Sequence, residues 1–115
     1  MKMLVIPDVH LKPRMFKRAD ELMQEDIADN VLQLGDIADD FKCKNNSSLY
    51  DETFDAAEAF ADKYPDGIWV VGNHDYSYII NEWQSGRAYL ALKTARERVS
   101  RFFNKLNYKS DRPRL

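Results

Sequence analysis

Three short apolar runs constrain this chain more than anything else in it. They are Met3-Leu4-Val5-Ile6, then Asn30-Val31-Leu32-Gln33-Leu34 with one polar interruption, then Gly67-Ile68-Trp69-Val70-Val71-Gly72. Runs rich in β-branched residues with so little alternation suit strands buried on both faces, as in a parallel sheet. Parallel neighbours need a long crossover, and helical stripes fill both gaps. Met15, Phe16, Ala19, Leu22, Met23 and Ile27 form the first, with Pro13 where a first-turn proline is tolerated. Tyr50, Phe54, Ala57, Ala61 and Tyr64 form the second, opened by a capping box of Ser48 and Asp51 and closed by Pro65-Asp66-Gly67. A third stripe keeps the period through Tyr89, Leu92, Ala95, Val99, Phe102, Phe103 and Leu106, while Lys93, Glu97, Arg101 and Lys105 take another face. The predicted order is β-α-β-α-β-α, an α/β fold with a mainly parallel sheet.

Open sheets of this kind bind ligands beyond the carboxyl ends of their strands, so the residues following each run matter most. Pro7-Asp8-Val9-His10 follows the first. Residues two apart in extended backbone point the same way, so Asp8 and His10 can offer a carboxylate oxygen and an imidazole nitrogen to zinc, manganese or iron. A solvated polar turn would carry the same two residues. Gly35-Asp36-Ile37-Ala38-Asp39-Asp40 follows the second run. There Asp36 has two oxygens with which to bridge cations, although a Gly-Asp turn that ends a strand would read alike. Gly72-Asn73-His74-Asp75 follows the third, offering an amide oxygen, an imidazole able to hold or donate a proton, and a further acid, or simply another turn. Both histidines of the chain stand at these strand ends. Coincidence explains three such loops on one sheet edge less well than a shared site.

In order and spacing, Asp8-Val9-His10, Gly35-Asp36-Ile37-Ala38-Asp39 and Gly72-Asn73-His74-Asp75 resemble the motifs Asp-x-His, Gly-Asp-x-x-Asp and Gly-Asn-His-Asp/Glu of the calcineurin-like metallophosphoesterases. The resemblance implies a centre of two divalent transition-metal ions that hydrolyses phosphate esters. Asp8 and His10 would bind one metal, Asp36 would bridge both and Asn73 would bind the second. His74 would protonate the leaving oxygen or steady the transition state, with Asp39 as its orienting partner. The family's domain continues with an isolated His and a Gly-His-x-His motif, whereas this chain has two histidines in all. Residues 1–115 therefore read as a single domain corresponding to the first half of the family's two-sheet sandwich, with little turnover expected of this polypeptide alone. The alternative is a non-catalytic remnant, or a module that holds a metal or phosphate. Asp40-Phe41 stands where the family's protein phosphatases carry Arg-Gly, which disfavours that subgroup.

At 115 residues with 44% hydrophobic side chains, the chain has enough for one core and no room for two domains. A lone cysteine, Cys43, excludes an intrachain disulfide and a multi-cysteine zinc site, and no apolar run is long enough for a membrane span. A reducing, cytoplasmic setting is expected. Charge is uneven: 8 Lys and Arg stand against 17 Asp and Glu up to Gly86, then 9 against 2 from Arg87 onward. Arg96, Arg98, Arg101, Lys105, Lys109, Arg112 and Arg114 invite a nucleic-acid partner, yet no nucleic-acid-binding motif accompanies them. Two solvated surfaces that attract each other account for the asymmetry more simply. Tyr76, Tyr78, Ile79, Ile80 and Trp83 read as packing rather than as the wall of a substrate cleft. Apolar surface left open where a second sheet would sit favours self-association.

Overall fold

The computed structural model describes residues 1–39, 47–72, 74–76 and 92–110. Strands β1 (Met3–Ile6), β2 (Asn30–Gln33) and β3 (Ile68–Trp69) alternate with helices α1 (Arg14–Gln24), α2 (Ser47–Lys63) and α3 (Leu92–Ser110). The sheet is parallel with β2 in the middle, so the fold is the α/β alternation that the apolar runs require.

Register divides the sheet into two unlike faces. Leu4 pairs with Val31, and Ile6 with Gln33, which in turn pairs with Trp69; these residues point toward the helices. Trp69 is where the layers meet, since its ring lies 5.8 Å from Phe16 of α1, 6.3 Å from Phe60 of α2 and 5.3 Å from Phe102 of α3. Around it Ile6, Val31, Phe54, Phe60, Val99 and Phe102 are buried in one core. The other face carries Val5, Leu32 and Ile68 side by side across the three strands. Val5 remains 49% exposed and Ile68 44%. Strands buried on both faces are therefore not what forms here: the described helices share one side of the sheet, and the second apolar row of each run faces outward.

Other expectations shift at their edges. α1 stops at Gln24 because Asp26 adopts a left-handed backbone (φ 62°), which ends the helix as a glycine often does and leaves Ile27 beyond it, exposed. α2 begins at Ser47, so Ser48 sits inside its first turn rather than ahead of it as a cap. The β3 ladder is two residues long, although the Val70 N–H still donates to the Gln33 carbonyl at 3.0 Å. Cys43, Asn73, Tyr78, Ile79, Ile80, Trp83, Tyr89, Arg112 and Arg114 lie outside the described residues. No described helix is long and apolar enough to cross a membrane.

Candidate metal centre

The three strand-end loops are joined by backbone before any side chain is considered. The Val9 and His10 N–H groups both donate to the Asp36 carbonyl, at 3.0 and 2.9 Å, and the Leu11 N–H donates to the Ile37 carbonyl at 2.8 Å. Gly35 (φ 90°) and Gly72 meet backbone to backbone on the other side, where a Cβ on Gly35 would strike the Gly72 nitrogen and one on Gly72 would strike the Asp36 nitrogen. Gln33, the polar interruption in the second run, is buried as a staple. Its side-chain NH₂ donates to the Gly35 carbonyl at 2.9 Å, and its oxygen accepts the Gly35 N–H at 2.8 Å. The same NH₂ also reaches the Pro7 carbonyl at 3.4 Å, so the buried amide finds its partners in the turn it shapes and in the first loop.

His10, Leu11, Asp36 and Asp39 all adopt left-handed backbone, with φ of 45°, 58°, 52° and 67°. Non-glycine residues rarely do so, and these four, set apart from Asp26 at the end of α1, all lie in the loops that carry the site.

Ligand atoms of Asp8, His10 and Asp36 all lie within 4.8 Å of one another. His10 Nδ1 sits 2.8 Å from the Asp39 carbonyl oxygen and 3.2 Å from that of Ala38. Carbonyl oxygens only accept, so Nδ1 carries a hydrogen and Nε2, 3.7 Å from the Asp8 carboxylate, is the ring atom left to offer a lone pair. Two carboxylates and a lone-pair nitrogen oriented by its other ring atom are a donor set that fits a divalent transition metal. Asp36 reaches the third loop as well, where its Oδ1 accepts the His74 backbone N–H at 2.9 Å.

His74 stands beside this cluster, its ring edge-to-face with His10 at 5.1 Å between centroids. Its Nδ1 donates to Asp39 Oδ2 at 2.9 Å, while the Tyr50 hydroxyl donates to Asp39 Oδ1 at 2.7 Å. Asp39 thus touches both histidines, one through its carbonyl and one through its carboxylate. Asp75 is fully buried and binds the loops from behind: Oδ1 accepts the Ile37 and Ala38 N–H groups at 2.9 Å each, and Oδ2 accepts that of Gly72 at 3.2 Å. Burial, with the charge of Asp36 added, pushes the Asp75 carboxyl up to about 7 against the pull of these donors.

The structure therefore brings together Asp8, His10, Asp36, Asp39 and His74 of the residues singled out by sequence, and Asn73 lies outside the described residues. The sequence model for the calcineurin-like phosphoesterases matches residues 1–112. The chain belongs to this family. No curated protein and no solved structure matches it. Membership in the calcineurin-like phosphoesterases associates the Asp8, His10 and Asp36 group with metal-dependent hydrolysis of phosphate esters. Tyr50 and Gln33 had no part in the motif reading, since one counted as helix stripe and the other as a break in a strand. The signal each offered was a polar atom in an otherwise apolar strand run or helix stripe.

Proposed function

We propose that this chain supplies the first metal site and the proton-handling histidine of a two-metal phosphoesterase, within one domain spanning 1–115. What carries the reading is the meeting of Asp8, His10 and Asp36 from two separate loops, with ligand atoms within 4.8 Å, beside a histidine anchored on a carboxylate. In this reading Asp8 and His10 would hold one divalent cation, Asp36 would contribute to both, and Asn73 would belong to the second. Two such cations supply Lewis acidity at a phosphoryl group and offset its charge. His74 keeps its Nδ1 on Asp39, which leaves Nε2 as the atom that hands a proton to the leaving oxygen. The Asp39 carboxylate steadies the imidazolium while that proton is held, and the Tyr50 hydroxyl shares the charge of the carboxylate.

Manganese binding followed by electron paramagnetic resonance, together with hydrolysis of a generic aryl phosphate, tests this. With the ligands named here the first site should take up manganese, and Asp36→Asn should weaken uptake on the order of tenfold or more, since the bridging carboxylate loses its charge. Turnover by the isolated chain should be slow, because only Asp36 and Asn73 would hold the second metal and the chain has no third histidine to complete either set of ligands. Manganese uptake unchanged in Asp36→Asn would overturn the assignment of ligands. One bound equivalent with no hydrolysis at any metal concentration favours the metal-binding or phosphate-binding module instead.

A further inference from the structure

We propose that Tyr50 is a positioning residue of this site: its buried hydroxyl fixes the Asp39 carboxylate and, through it, the tautomer and orientation of the His74 ring. The inference rests on the reading of His74 given above, and it names the element, α2, that holds the histidine in place. A carboxylate bound to one partner still turns about its Cβ–Cγ bond. Asp39 has Oδ2 on His74 and Oδ1 on Tyr50, 2.9 and 2.7 Å away, so the two contacts together define the carboxylate plane.

Tyr50 is suited to hold that plane still. It is 1% exposed, and its ring stacks on Phe54 one turn along the same helix, with centroids 6.4 Å apart and planes 5° from parallel. Phenylalanine would fill the same space, so packing alone does not call for the oxygen. A buried hydroxyl needs an acceptor, and this one has reached a residue outside the helix, at the end of the second motif. Because the Asp39 carbonyl also holds His10 Nδ1 at 2.8 Å, a tilt of Asp39 would disturb the metal-facing imidazole too.

The test is made on the whole chain without metal, using long-range proton–nitrogen spectra of the imidazoles. Only two histidines contribute, and His10→Gln assigns them. At a pH of about 8.5, above the ordinary imidazole range, wild type should show His74 as the Nδ1–H tautomer with that proton slow to exchange. In Tyr50→Phe, exchange should quicken on the order of tenfold, the factor set by one net hydrogen bond to a charged acceptor, and the second tautomer should appear. Tyr64→Phe is the control, since Tyr64, directly after the same helix, donates to the Asp20 carboxylate at 2.6 Å, away from the site, and it should leave His74 unchanged. In wild type the Tyr50 hydroxyl proton should itself be protected from exchange, a measurement that needs no variant to fold. An unprotected hydroxyl, a His74 spectrum indifferent to Tyr50→Phe, or an equal effect from Tyr64→Phe overturns the proposal. None of these readouts uses metal or turnover, so a chain that binds no manganese yet loses its His74 tautomer in Tyr50→Phe refutes the two-metal reading and keeps this one.

Discussion

Asp75 shows how a side chain can matter to a site it does not enter. Three backbone N–H groups from two loops end on its carboxylate, and no water reaches it. Replacing it with alanine strands all three donors, at about 1 kcal/mol or more apiece, so Asp75→Ala should lose roughly 3 kcal/mol. Asparagine keeps an oxygen for Ile37 and Ala38 and gives up the cost of a buried charge, while turning an NH₂ toward Gly72. Asp75→Asn should therefore lose only about 1 kcal/mol. Urea denaturation of both variants checks this, and equal losses would mean that the loops do not depend on the acceptor. The ligand candidates Asp8, His10 and Asp36 were legible because their chemistry lies in short motifs at the ends of apolar runs. Tyr50 and Gln33 were not, because what makes them matter is a partner that only the folded chain supplies: Asp39 for one, both sides of the Gly35 turn for the other. Helical periodicity places a tyrosine on the buried face and says nothing about where its hydroxyl ends.

At the level of elements, strand and helix order could be read from the sequence because each helical stripe was long enough to show its period and each apolar run too short to be a helix. Which face of each strand would be covered could not, since all-apolar runs look the same from both sides. Trp69 settles the matter by collecting a phenylalanine from every described helix onto one face. The two faces should then respond differently to substitution. Phe60 is 4% exposed and lies against Phe16, Tyr64 and Trp69, so Phe60→Ala should cost about 3–5 kcal/mol through lost burial and the cavity left behind. Val5, near half exposed on the opposite face, should tolerate threonine at a cost of about 0.5 kcal/mol or less. Unfolding midpoints measured at low protein concentration decide between them; a large loss from Val5→Thr would show that the outward row is covered in solution, as self-association through that face would require.

Across the whole molecule, the uneven charge finds its partners internally wherever the described side chains show it. Arg98 of α3 is 4% exposed, with Nη2 2.6 Å from Asp55, a further ion pair to Glu58 and its guanidinium over the Phe54 ring. Lys105, two turns along α3, lies 2.9 Å from Glu58, so the acidic α2 and the basic α3 are joined largely through one carboxylate. Burial pushes the Glu58 carboxyl up, but hydrogen bonds from Lys105 and Arg98 and the charges of both outweigh it, leaving its value below the ordinary 4.5. Between that folded value and 4.5 the unfolded chain binds more protons than the native one, so stability contributed by Glu58 is complete above pH 4.5 and is lost as pH falls through the folded value. Asp75 works in the opposite sense. Its carboxyl, raised from 3.8 to about 7, binds the extra proton in the native state, so its contribution declines as pH rises across that interval. Asp75 is common to wild type and Glu58→Gln and cancels in their difference, which leaves the Glu58 effect to be read directly. Urea midpoints at about pH 7 and about pH 3.5 should show wild type well above Glu58→Gln at the higher pH and the gap narrowed at the lower. A gap that stays constant with pH would mean that the charge of Glu58 contributes nothing to the join, which is then left to the packing of Val99, Phe102 and Phe103 and to the Arg98–Asp55 pair.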